Sequence, residues 1–348
     1  MSDRPCFAFT LGDIAGIGPE VTVRAAIDPA VREVCRPMLF GPTPSVQMAA
    51  ALIDRDLRIH RLVDGATTPQ ALGENDVYVR DIPMEGTIRT AEHSESAGRA
   101  AYVSLRLAID ETLGNNVEAV VTAPLNKKSL RLAGIRQPGH TEILAEQTGA
   151  RDHAMMLYLP AGDGAVGPNG LAVCHVTLHE PIASVPGNLT TEKICGKIRL
   201  IDDFLRQMGQ AEPRIAVAAL NPHAGEDGLF GLEEAETIEP AIDRCAAEGV
   251  AVTGPLPVDT LFRRTIVGHE FDGVVAMYHD QGHIPMKLIA FDRAVNVTLG
   301  LPIIRTSPSH GTAYDIAWTG RANAAGMVAA ALTAAKLRTA RLASQPRP

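Results

Sequence analysis

Residues Gly273–His279 read GVVAMYH, an uninterrupted apolar run that ends on a histidine. Two further runs end the same way: LAVCH at Leu171–His175 and RIAVAALNPH at Arg214–His223. Runs this long, rich in Val, Ile, Leu and Ala, read as strands buried on both faces, the pattern of a parallel sheet. In open α/β sheets ligands lie beyond the carboxyl ends of the strands. Three imidazoles at such ends are a common way to hold one divalent cation with a coordination position left open. One histidine at a strand end is more often a structural side chain, but three at equivalent ends favour a metal site. Two choices remain, because HVTLH offers His175 or His179 and HDQGH offers His279 or His283. Four residues apart on a strand, both members of a pair face one side. The member nearer the apolar run is better held, so His175, His223 and His279 are the candidate ligands.

Working outward, strand-like and helical patterns alternate. CFAFTL precedes a helix starting at Pro19, PMLFG precedes SVQMAAAL, and the amphipathic SAGRAAYVSLRLAIDETL precedes VEAVVTAP. HAMMLYLP and the helix TTEKICGKIRLIDDFLRQMG continue the series, and Ala322–Leu342 reads as one or two Ala-rich helices. This is the βαβ signature of an α/β protein. At 348 residues the chain suits two domains rather than one core. No linker separates them, so the chain is expected to cross between them more than once.

Composition excludes several classes. A formal charge of -8 and the lack of a basic stripe argue against a nucleic-acid surface. Five scattered cysteines, never in a CxxC pair, suit a reducing compartment and no thiolate zinc site. MSDRPC leads straight into a strand and no apolar stretch is long enough to span a bilayer, so the reading is a cytoplasmic protein without a membrane partner.

Other motifs are less specific. LGDIAGIGPE, Leu11–Glu20, follows the first strand and leads into a helix whose N–H groups suit an anion; a plain glycine-rich turn explains it as well. A GxGxxG at Gly162, Gly164 and Gly167 opens no helix, so it reads as a loop. PGHTE, Pro138–Glu142, puts His140 and Thr141 at a helix start, as an anion site or an ordinary cap. Lys287 and Arg305 border apolar runs and suit a phosphate or carboxylate clamp. SPSHGTAYDIA, Ser307–Ala317, is a turn-rich loop able to line a nucleotide pocket.

Taken in order, GDIAGIGPE, VTAPLNK, GHTE, NPHAGE, LPVDTLF, YHDQGHIPMK, VNVTLGLPIIRTS and HGTAYDIA resemble the 4-hydroxythreonine-4-phosphate dehydrogenase family of vitamin B6 (pyridoxine) synthesis, from Gly12 to about Gly326. The resemblance implies a two-domain isocitrate/isopropylmalate dehydrogenase-like α/β fold, with parallel-rich sheets and a cleft between domains. Residues 1–125 plus 300–348 would form one domain, and 126–299 the domain carrying the metal ligands and dimer contacts. It implies a homodimer with the metal site shared across its interface. By the same resemblance His175, His223 and His279 are metal ligands, and His140, Thr141, Lys287, Asn296 and Arg305 are substrate contacts. His310, Gly311, Thr312 and Asp315 lie against NAD or NADP. Two residues depart from the pattern: Ile14 stands where Pro is usual, and Trp318 where a Gly commonly follows DIA.

The implied reaction is metal-assisted oxidation and decarboxylation of a phosphorylated 3-hydroxy acid, 4-phosphooxy-L-threonine to 3-amino-2-oxopropyl phosphate. Asp259 or Asp280 takes the hydroxyl proton while hydride passes to the nicotinamide. Imidazole ligands suit zinc, with magnesium, manganese or cobalt as alternatives. HVTLHE and DQGHIPMKL are similar to relatives acting on D-threonate or D-erythronate 4-phosphate, or on a cis-dihydrodiol carboxylate. A mononuclear metallohydrolase is the rival of a different class.

Overall fold

The computed structural model describes residues 4–53, 56–63, 72–84, 86–137, 139–162 and 166–344. Its strands are β1 (Cys6–Thr10), β2 (Arg36–Gly41), β3 (Arg58–Leu62), β4 (Asp76–Asp81), β5 (Ala119–Thr122), β6 (Ala154–Leu159), β7 (Leu171–His175), β8 (Ile215–Ala218), β9 (Val252–Leu256), β10 (Gly273–Ala276), β11 (Val295–Leu299) and β12 (Arg305–Pro308). The chain divides into two compact units, Met1–Arg151 with Leu301–Thr339, and Asp152–Gly300 with Ala340–Pro348.

In the first unit the strand order is β3-β4-β2-β1-β5-β12, all parallel. The central β1, CFAFT, and its neighbours β2 and β5 are buried along their whole length, which is why they read as unbroken apolar runs. The helix Glu95–Leu113 is capped by Ser94, whose hydroxyl accepts from the Ala97 N–H at 3.2 Å. It buries Ala101, Leu105, Ala108 and Ile109 against this sheet. Leu130, Ile143 and Leu144 join the same core, so residues 126–151 pack with the first unit, although the sequence reading places them in the second. His140 and Thr141 go with them. Strand order reverses between β1 and β5, where an open sheet offers a ligand site at the strand ends.

In the second unit the order is β11-β6-β7-β10-β8-β9. β6 runs antiparallel to both β7 and β11, while β7, β10, β8 and β9 are mutually parallel. The helix Thr191–Gln207 turns Ile194, Ile198, Ile201 and Leu205 inward. Because β7, β10 and β8 are parallel neighbours, all three histidine-bearing ends point the same way.

Candidate active site

His175 is the last residue of β7, paired in register with Ala276 of β10, and His279 opens the helix His279–Ala290 just beyond β10. Two other histidines join them. The His279 ring lies 5.9 Å from that of His179 and stacks on His283 at 3.8 Å, with the two ring planes nearly parallel. His175 Nε2 meets His283 Nδ1 at 3.1 Å. Gly282 makes this possible: a Cβ there would stand 2.4 Å from His175 Nε2. Thus His175 and His283 form a buried pair, while the exposed His179 and the partly exposed His279 line one open cavity with Glu180, Tyr278 and Asp280. Burial, and then the neighbouring imidazoles, push the pKa of His175 well below 6.5; burial first and then His279 take His283 down to about 4. Both rings are therefore neutral at physiological pH.

His223 stands apart in the turn Pro222–Gly225 beyond β8. It has left-handed backbone (φ 51°), as do Ala224, Glu226 and Asp227, a conformation non-glycine residues adopt at a cost. Glu234 holds the turn: one carboxylate oxygen accepts the Leu220 and Asn221 N–H groups, both at 2.8 Å, and the other accepts from Asn221 Nδ2 at 2.9 Å. Gln281 ties the neighbouring strand ends together, donating to the Ala219 carbonyl at 2.7 Å and accepting from the Met277 N–H at 2.8 Å. The His223 ring packs edge-on to Phe230 and is exposed.

His279 and His223 each carry an orienting carboxylate. His279 Nδ1 lies 2.7 Å from Asp280 Oδ1, and His223 Nδ1 lies 3.1 Å from Glu226 Oε2. A carboxylate on Nδ1 fixes the tautomer that presents the Nε2 lone pair outward, the arrangement that metal-binding histidines use. The donor set therefore fits a divalent cation. Among the described residues of one chain, however, no three His, Cys, Asp or Glu side chains converge closely enough to hold one. Asp280, a candidate base, has its carboxylate on His279. Asp259 is exposed in the first turn of the helix Val258–Ile266. Lys287 and Asn296 also belong to the second unit. Lys287 Nζ lies 6.0 Å over the Phe291 ring, and Asn296 Oδ1 is buried with no hydrogen-bond partner among the described residues.

The other candidates lie in the first unit. Arg305, on β12, is fully buried and donates to Thr122 Oγ1 at the end of β5, from Nε at 3.2 Å and from a terminal nitrogen at 2.7 Å. Burial lowers its pKa to about 9. His140 begins the helix His140–Thr148 with Thr141 beside it; Pro138 lies outside the described residues. Burial, and then the charge of Arg305, hold His140 well below 6.5. A buried guanidinium beside a neutral imidazole can receive an anion. A stability test follows. Folded His140 refuses the proton that the unfolded chain accepts near pH 6.5, so its contribution is full above about pH 6.5 and is lost as pH falls. The wild-type Tm is expected to fall more steeply below that pH than the Tm of His140→Asn. Parallel curves would remove His140 from this role.

His310, Gly311, Thr312 and Asp315 lie on a loop fastened to the Gly12–Glu20 turn, with the Ile17 N–H donating to the Thr312 carbonyl at 3.0 Å. His310 Nε2 is buried without a hydrogen-bond partner among the described residues. The turn seats protein groups: buried Asp13 and Glu20 face the loop and accept its hydrogen bonds. Of the GxGxxG, Gly164 lies outside the described residues; Gly162 and Gly167 belong to no helix.

Sequence reasoning missed Gln281, Glu234 and Glu226, and weighed His283 only as an alternative to His279. Three of the four stand within four residues of a candidate histidine, but nothing in spacing alone distinguishes an orienting side chain from a solvated one.

Among solved structures the chain is similar to a 4-hydroxythreonine-4-phosphate dehydrogenase from Klebsiella pneumoniae, with TM-score 0.79 and 40% identity over 96% of this chain and 100% of that one. Among curated proteins it is 41% identical over 334 residues to the 4-hydroxythreonine-4-phosphate dehydrogenase of Desulforapulum autotrophicum, covering 96% of this chain and 95% of the relative. It is 42% identical over 333 residues to the D-threonate 4-phosphate dehydrogenase of Salmonella typhimurium, covering 92% and 95%. Residues 33–334 match the family described as pyridoxal phosphate biosynthetic protein PdxA. The chain belongs to the PdxA family.

Proposed function

We propose that this protein is an NAD- or NADP-dependent dehydrogenase that oxidises and decarboxylates a phosphorylated 3-hydroxy acid. The observation that carries the metal part is the carboxylate on Nδ1 of both His279 and His223, at the ends of neighbouring strand runs. These two imidazoles, with His179 or His175, would hold one divalent cation, zinc or else magnesium, manganese or cobalt. His179 shares the open cavity with His279, whereas His175 Nε2 is engaged by His283, which favours His179 as the ligand facing substrate. His223 would come from a second copy of the chain. In support, the helix His279–Ala290 and the residue after it present Ile284, Leu288 (81% exposed) and Phe291 at helical spacing, an apolar stripe suited to a homodimer interface.

The chain's own residues divide the remaining work. Arg305 and Lys287 bind the anionic ends of the substrate through charge-assisted hydrogen bonds, with His140, Thr141 and Asn296 orienting it. The loop His310–Asp315 meets the nucleotide. Asp280 is committed to orienting His279, which leaves Asp259 to take the hydroxyl proton as hydride passes to the nicotinamide. The bound cation would supply stabilisation of negative charge at the reacting oxygen during oxidation and loss of carbon dioxide.

The first substrate choice is 4-phosphooxy-L-threonine, giving 3-amino-2-oxopropyl phosphate in pyridoxine synthesis in the cytoplasm. D-Threonate 4-phosphate is the second, since identity to the Salmonella enzyme of that name is equally high. A metallohydrolase reading leaves the His310–Asp315 loop without a task. Chelated and metal-restored enzyme, given NAD and each of the two phosphorylated acids, is expected to form NADH only with metal and with one acid preferred. Hydrolysis of either acid without NADH formation would overturn the reading.

A further inference from the structure

We propose that Tyr314, through buried Asp13, is a positioning residue that presets the nucleotide loop. The inference rests on reading His310–Asp315 as that loop. Asp13 is wholly buried in the turn after β1. Its Oδ1 accepts the Ala15 N–H at 2.8 Å, and its Oδ2 accepts the Tyr314 hydroxyl at 2.8 Å. The Ser129 hydroxyl lies 3.4 Å from the same phenol, and the His93 ring packs against it with centroids 5.0 Å apart. A buried carboxylate is costly unless it is hydrogen-bonded, and the loop supplies one of the partners that Asp13 needs.

The rest of the loop is held from the same turn. Glu20, also buried, accepts the backbone N–H groups of Trp318 and of Gly320, the latter at 2.9 Å. The Trp318 indole N–H donates to the Ile14 carbonyl at 3.2 Å. Trp318 has left-handed backbone (φ 62°), which explains why glycine is common at this place. In this chain the indole and backbone bonds offset the strain. The Trp318 indole thus reaches the backbone of Ile14, the other position that departs from the family pattern. Both carboxylates of the turn serve the loop, and the Thr312 carbonyl takes the Ile17 N–H besides.

A loop held ready binds without first being ordered, whereas a loosened one has its apparent affinity reduced by the fraction that is competent. Tyr314→Phe is expected to raise KM for NAD roughly tenfold, with kcat and KM for the hydroxy acid within about twofold. Trp318 is the only tryptophan of the chain and sits on this loop, so its emission reads the latch directly. In metal-loaded Tyr314→Phe without nucleotide the emission is expected to shift to the red, and saturating NAD is expected to return it toward wild type. An unchanged emission with an unchanged KM for NAD would overturn the proposal, as would a fall in kcat alone. Should Tyr314→Phe fail to fold, Asp13→Asn keeps the shape and one acceptor while losing the charge. It is expected to show a smaller rise in KM for NAD, and no rise would count against the latch. If NAD leaves wild-type Trp318 emission untouched while NADH is still formed, the loop is not the nucleotide contact, and the underlying reading fails instead.

Discussion

Replacing His223 with alanine is expected to abolish measurable turnover while leaving the thermal unfolding of the protein nearly unchanged. The structural half of that expectation follows from its surroundings. The ring is exposed and touches Glu226 and Phe230, and the turn beneath it is held by Glu234 and Asn221, not by the imidazole. Surface substitutions of this kind usually stay within about 0.5 kcal/mol. The functional half follows from the proposed ligand role. A bound cation contributes several kcal/mol of charge stabilisation, on the order of a thousandfold in rate. His279→Ala is expected to do the same. Because the proposed site draws His223 from one copy and His279 from the other, mixing the two inactive variants provides a sharper measurement. Random reassociation makes about half the dimers mixed, each with one intact site of two, so about a quarter of wild-type activity should return. No recovery after verified subunit exchange would place both histidines in one subunit's site, or in none. Wild-type turnover by His223→Ala would remove that residue from the chemistry altogether.

Arg305→Ala is expected to raise KM for the phosphorylated acid by roughly 30- to 1000-fold, since charge-assisted hydrogen bonds to an anion are worth about 2–4 kcal/mol together. Oxidation of an unphosphorylated analogue should be affected far less. Arg305 is one of the largest fully buried side chains, so the alanine variant also leaves a void beside Thr122. Arg305→Met separates the two effects: it fills most of the space, so its stability should approach wild type while its KM stays high. Equal losses on both substrates, in the methionine variant as well, would show that Arg305 supports the fold and does not read the phosphate.

Much of the arrangement is legible in the residues themselves, for a physical reason. Strands buried on both faces must be apolar throughout, so GVVA, LAVC and IAVA announce themselves, and whatever polar group follows sits at a strand end. The parallel neighbours β7, β10 and β8 put those histidines on one edge of the second unit. What stays hidden is side-chain direction. HVTLH gives no sign that His175 turns down onto His283 while His179 remains exposed, because that depends on Gly282, a residue on another element. Nor does HDQGH show that Asp280 is committed to His279. The antiparallel β6 reads like the parallel strands of its sheet, since both faces are covered either way. Residues 126–151 look like the beginning of a new domain because a strand has just ended. Their packing partner, the helix Glu95–Leu113, lies earlier in the chain.

The return of β12 to pair with β5 has a consequence for biosynthesis. A ribosome must deliver nearly the whole of residues 152–300 before the strand that completes the first sheet emerges, a delay on the order of ten seconds or more at usual elongation rates. Throughout that interval the nascent protein carries an apolar border at Ala119–Thr122 with its hydrogen-bonding groups unmatched on one side. The later segment can gain its own structure while the earlier one waits, so this protein is one whose amino-terminal portion finishes last.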